Sequence, residues 1–169
     1  MFTINLELLD SNLDELEKRI KELAKSSSFV GYDDTQKPHK PSGLSLPNLV
    51  GILSAGYDGM KARPVFDYAY MTFKFKDSSM RKDLEKYLSN IKAKSAPITV
   101  DKINEHWAKD MSDEVISIFG STPPLAENKE STQKRKGGRN TPLVDSEYLR
   151  DHLGYIISDD SIKLTKNLG

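Results

Sequence analysis

Apolar positions alternate at the start of the chain and then settle into spacings of three and four. Phe2, Ile4, Leu6 and Leu8 alternate with Thr3, Asn5 and Glu7, a period of two that predicts a half-buried strand. Ser11 and Asn12 can then cap, Asp14 and Glu15 follow, and Leu13, Leu16, Ile20 and Leu23 recur at helical spacing, so a helix is predicted over 12–25. The segment "SFVGY" reads as a second short strand. The polar "DDTQKPHKPSG" after it reads as an exposed excursion.

Helical spacing dominates the middle. In "SLPNLVGILSAGYDG", Ser45 is a candidate N-cap, Pro47 falls in the first turn, Leu46, Leu49, Val50 and Leu53 share a face, and Gly56 ends the helix. Phe66, Ala69, Tyr70 and Phe73 in "RPVFDYAYMTFKF" favour a helix, while the density of aromatic residues equally fits a strand. Met80, Leu84, Tyr87, Leu88 and Ile91 form a stripe behind the capping candidates Asp77, Ser78 and Ser79, giving a helix over 77–94. After Pro97, Thr99 can cap a longer helix with Val100, Ile103, Trp107, Met111, Val115 and Ile118 on one face, until Gly120 and Pro123-Pro124 stop it. This should be the central helix, with Trp107 in the core. From 121 to 141 large apolar residues almost vanish, which predicts an extended arm or loop. Finally "GYIIS" and "SIKLT" flank Asp159-Asp160 as a possible hairpin. Together these elements describe one α+β domain over 1–169: a small antiparallel or mixed sheet flanked by helices, with a long extended arm.

Composition narrows the function. The 169 residues carry 25 basic and 25 acidic side chains, so no global field holds nucleic acid or an anionic membrane, and such binding must be local. The absence of cysteine excludes disulfides, thiolate metal sites and thiol nucleophiles. No window approaches ~20 apolar residues and the first residues lack a basic region before an apolar run, so neither a membrane span nor a signal peptide is expected. His39, His106 and His152 fall in separate elements without ligand spacing, and Asp33-Asp34 and Asp159-Asp160 sit in turn-like contexts. Neither a catalytic set nor a cofactor or metal site is expected. The run "KRKGGR" lacks the order of a phosphate-binding P-loop, but its cations could meet a nucleic-acid backbone.

The order of three stretches carries a resemblance. "LPNLVGILSAGYDG", then "KARPVF", then a helical region, then "PPLAENKESTQKRKGGRNTPLVDSEYLRDHLGYIIS" resembles the tail-completion and neck proteins of tailed bacteriophages, the virion morphogenesis proteins, over about 29–158. Ala62, Arg63, Pro64 and Phe66 stand for the family's Ala-Arg-Pro-Phe step. Thr132, Lys136, Pro142, Leu143, Val144, Asp145 and Leu149 stand for its closing motif. Val65 is inserted before Phe66, and Ser146-Glu147 takes the place of Thr-Gly.

The resemblance implies a non-enzymatic virion structural protein: a head-tail connector or tail-completion component that forms a homo-oligomeric ring in the neck, assembled in the host cytoplasm. Its partners would be itself, portal or adaptor proteins, and tail tube or tail terminator proteins, with a possible passing contact with phage DNA and no membrane. Lys134, Arg135, Lys136, Arg139, Pro142, Leu143 and Asp145 are the expected assembly or arm contacts, and Arg63, Pro64, Phe66 and Leu149 the motif core. Pro142 fixes the chain direction, Leu143 and Val144 enter the core, and Asp145 or Ser146 caps a helix presenting Leu149 and Leu153 inward. One alternative is a small nucleic-acid-binding protein using the basic 134–139 run, against which net neutrality counts. Another is a hydrolase or nuclease, against which the lack of a convergent His/Asp/Glu set counts.

Overall fold

The Thr99 side chain accepts a hydrogen bond from the Lys102 amide at 3.2 Å, and the helix it caps runs over Val100–Ile118. The computed structural model describes residues 6–89, 91, 97–143, 147–157 and 163–164. In chain order these form α1 (Leu6–Lys25), β1 (Ser28–Gly31), α2 (Leu46–Ala55), α3 (Val65–Thr72), a 3-10 turn (Phe75–Asp77), α4 (Ser79–Ser89), α5 (Val100–Ile118), α6 (Glu130–Arg135), α7 (Tyr148–His152), β2 (Gly154–Ile157) and β3 (Lys163–Leu164). The architecture is α+β and mostly helical. The sheet is small and antiparallel, ordered β1-β2-β3, with Val30 opposite Tyr155 and Tyr155 opposite Lys163.

Helix α5 is the hub. It packs on α3, on α4 and against the sheet, and buries Ile103, Ala108, Met111, Val115 and Ile118. Leu46, Val65, Ala69, Val30, Leu149, Leu153, Tyr155 and Ile157 complete the core, with Trp107 half-buried against it. Burying this apolar surface is the main stabilising contribution, of roughly 25 cal/mol per Å².

The expected strand over 2–8 is corrected from residue 6 onward, where the chain is helical; residues 2–5 lie outside the described residues. Leu6, Leu9, Leu13, Leu16 and Ile20 carry the three-and-four spacing upstream of the expected start, so Ser11 and Asn12 fall inside α1 instead of capping it. The 65–72 segment is a helix, and α4 ends at Ser89. Positions 90 and 92–94 of the longer helix expected there lie outside the described residues, as do Asp159-Asp160 of the hairpin; β2 and β3 do pair.

Candidate functional site

Gly56 closes α2 with φ of 78°, and a Cβ there would lie 2.7 Å from the Met60 carbonyl oxygen and 2.9 Å from the Ala62 nitrogen. Only glycine fits so tight a turn. The chain folds back, and the Arg63 amide donates to the Leu53 carbonyl at 2.9 Å. That places the Arg63 side chain across a gap, where Nε donates to Ala126 O at 2.9 Å, and one terminal nitrogen donates to Glu127 O at 2.9 Å and Asn128 Oδ1 at 3.3 Å. Desolvation lowers the guanidinium pKa from its ordinary value. Arginine starts so far above neutrality that the group stays charged.

Asn128 is tied from its other side as well. Its amide donates to Asn140 Oδ1 at 2.9 Å and its carbonyl accepts from Gln133 Nε2 at 2.8 Å, while Lys136 Nζ donates to Thr141 O at 3.1 Å. Leu125 and Pro142 are buried, and the Gly120 amide donates to Pro142 O at 3.0 Å. The extended arm expected over 121–141 is therefore corrected to a folded excursion containing α6. Polar side chains from outside and inside the segment satisfy its main chain, a role that apolar periodicity does not reveal.

Between this excursion, α2, the 57–63 turn and the start of α7 lies a cleft of about 610 Å³. Leu49, Leu53, Met60, Leu143 and the buried Leu149 line its apolar part. Lys61, Lys129 and Arg135 are exposed around it, and with Arg63 and Lys136 they make five cations against one carboxylate, Glu127. Lys61 and Lys129 lie within the quoted stretches but were not among the expected contact residues, since the fold alone brings them to the same cleft as Arg135. His39 and His152, separate in sequence, flank Tyr148 at one edge: the Tyr148 and His152 rings stack at 4.0 Å, and His39 is tilted against Tyr148 at 5.4 Å. The Tyr148 hydroxyl donates to Lys37 O at 3.0 Å, which fixes the edge.

The expected contact residues do not form one patch. Lys134 lies 3.4 Å from Glu130, Arg135 and Lys136 line the cleft, and Arg139 is exposed outside its lining. Pro142 and Leu149 are buried and Leu143 is half-buried at φ 61°. Val144, Asp145 and Ser146 lie outside the described residues. Of the motif core, Arg63 is buried and Pro64 precedes α3; Val65 is fully buried, while Phe66 is half-buried and edge-on to Tyr32 at 6.1 Å.

His106 Nδ1 is hydrogen-bonded to the Asp83 carboxylate, with Lys86 3.6 Å from the same carboxylate. Among the described residues no three His, Cys, Asp or Glu side chains gather as a metal site, and no helix is long and apolar enough to cross a membrane. What the cleft offers is binding: an apolar lining with exposed cations suits a ligand or protein segment that is itself apolar and anionic. Compared with protein-family models, curated proteins and solved structures, the chain finds no match.

Proposed function

We propose that this chain is a structural protein of the tailed-bacteriophage neck, assembling into a ring that joins the head-side adaptor to the tail. The observation that carries the reading is the large apolar side chains left in solvent: Tyr57 is 72 % exposed, and Tyr70 and Met71, adjacent on α3, are 80 % and 77 % exposed. Aromatic residues and methionine are the types enriched where proteins meet. The resemblance adds its weight through Arg63, since one of its motifs is physically fastened to the excursion that leads into the other.

The test is assembly. Native mass spectrometry and sedimentation across a wide concentration range should show a discrete higher oligomer, and particle images should place the chain between head and tail. Duplex DNA affinity should show no steep salt dependence, because Lys134 and Lys136 have local partners in Glu130 and Thr141. A protein that stays monomeric at every concentration, or that binds DNA with a steep salt slope without assembling, would sink the connector reading.

A further inference from the structure

Helix α1 is seated by a charged residue. Arg19 is buried, donates to the Tyr87 carbonyl of α4 at 2.5 Å and lies 2.9 Å from Glu15, while the Tyr87 hydroxyl donates to Glu22 at 2.6 Å. Leu13 and Ile20, which share the apolar stripe with Leu16 and Leu23, remain 55 % and 51 % exposed. The N-terminal half of the helix is also acidic. Over 6–17 the sequence has five carboxylates, Glu7, Asp10, Asp14, Glu15 and Glu17, and no cation before Lys18. An amphipathic helix with exposed apolar residues and a one-signed charge is built to enter a groove of the opposite sign.

The chain holds such a groove elsewhere. The cleft between α2 and α6 has an apolar lining at Leu49 and Leu53 and exposed cations at Lys61, Lys129 and Arg135. The helix seats on α4, whereas the cleft is built from α2, the 57–63 turn and α6. We infer that the acidic half of α1 in one copy occupies the basic cleft of the next, with Leu13 against the leucines and the exposed Asp14 and Glu17 facing the cations. The two surfaces are different, so the contact is head-to-tail, the kind that closes a ring when its rotation permits. This inference rests on the ring reading and assigns it an interface.

Charge exchange tests it on the full chain. Lys61→Glu/Lys129→Glu/Arg135→Glu is one variant and Asp14→Lys/Glu17→Lys the other. Each should weaken self-association by about tenfold or more, with the helical circular dichroism unchanged. An equimolar mixture should regain assembly as an alternating oligomer, because each helix again meets a cleft of opposite sign. Unaltered association of both variants, or a mixture that stays dissociated, overturns the helix-in-cleft contact and leaves the ring reading standing. Duplex DNA held by the wild-type cleft and released by the cleft variant, with assembly unchanged, also overturns it. A wild type that is monomeric at every concentration removes the ring reading and the contact together.

Discussion

Arg63 keeps a positive charge at 8 % exposure by giving its hydrogen bonds to two main-chain carbonyls and the Asn128 side chain. Removing the guanidinium leaves those buried acceptors unpaired, so Arg63→Ala should cost about 2–4 kcal/mol in denaturant unfolding. It should also speed proteolysis within 126–136. Arg63→Lys keeps the charge but has no planar fork to span separate acceptors, and should recover less than half of the loss. Equal stability of all three proteins would show that the excursion holds without this residue. The neighbouring positions reverse the expectation carried by the family motif. Val65 is buried at 2 %, and Phe66 packs against the core from a half-exposed position. Phe66→Ala should therefore fall short of the ~3–5 kcal/mol typical of fully buried phenylalanine, near 1–2, while Val65→Ala costs about 2 kcal/mol for two buried carbons. The sequence shows both residues as apolar in a helical segment, and which one faces inward depends on how Pro64 sets the start of α3.

At the scale of elements, α4 shows what local spacing can and cannot reveal. Ser78 was readable as a cap, and its hydroxyl does accept from the Arg81 amide at 3.2 Å. The first amide of the helix, however, is satisfied from α5: Asp110 accepts from the Ser79 nitrogen at 2.7 Å, from the Ser79 hydroxyl at 2.6 Å and from the Met80 nitrogen at 3.4 Å. A carboxylate at a helix N-terminus also opposes the positive end of the helix dipole. Asp110→Ala should cost about 1–3 kcal/mol, more than Thr99→Ala at about 1 kcal/mol, because it unties a contact between helices as well as a cap. Asp110→Asn should sit between wild type and alanine in thermal unfolding. An Asp110→Ala loss smaller than that of Thr99→Ala would refute the cross-helix cap. Helix α5 was legible from end to end because cap, stripe and stop all agree. The start of α1 was not, since Leu6 and Leu8 continue the alternation from Phe2 while Leu6 and Leu9 begin a helical stripe, and six or seven residues do not separate the two periods.

Across the whole molecule, polar side chains join segments that are far apart in sequence, and these are the links the sequence hid. Tyr32 donates from the end of β1 to the Leu149 carbonyl of α7 at 2.8 Å, Tyr87 from α4 to Glu22 of α1 at 2.6 Å, and Arg63 reaches 126–128. Apolar periodicity located α2 but neither the 57–63 turn nor α6, and the cations of the cleft come from three separate stretches. Only Arg135 and Lys136 belonged to a recognisable run. The two tyrosine links give the molecule a pH signature. Burial pushes the Tyr32 phenol up, and burial with the Glu22 hydrogen bond pushes Tyr87 up to about 12 from an ordinary 10. In the unfolded chain both phenols lose their protons near pH 10, whereas in the folded protein they keep them, so the folded state binds more protons in that window. Stability then falls as pH rises: the contribution is complete below about pH 10 and is lost toward pH 12, at up to about 1.4 kcal/mol per pH unit for each phenol. Unfolding free energies at pH 8 and pH 10.5 should differ by more in the wild type than in a Tyr32→Phe/Tyr87→Phe variant. That variant should be weaker at pH 8 by about 1–3 kcal/mol for two lost hydrogen bonds. Lysine deprotonation acts on both proteins alike and cancels in the comparison. An equal alkaline loss in the two would mean that the phenols are not the groups resisting ionisation, and that the long-range hydroxyl links contribute nothing to holding the sheet and α1 in place.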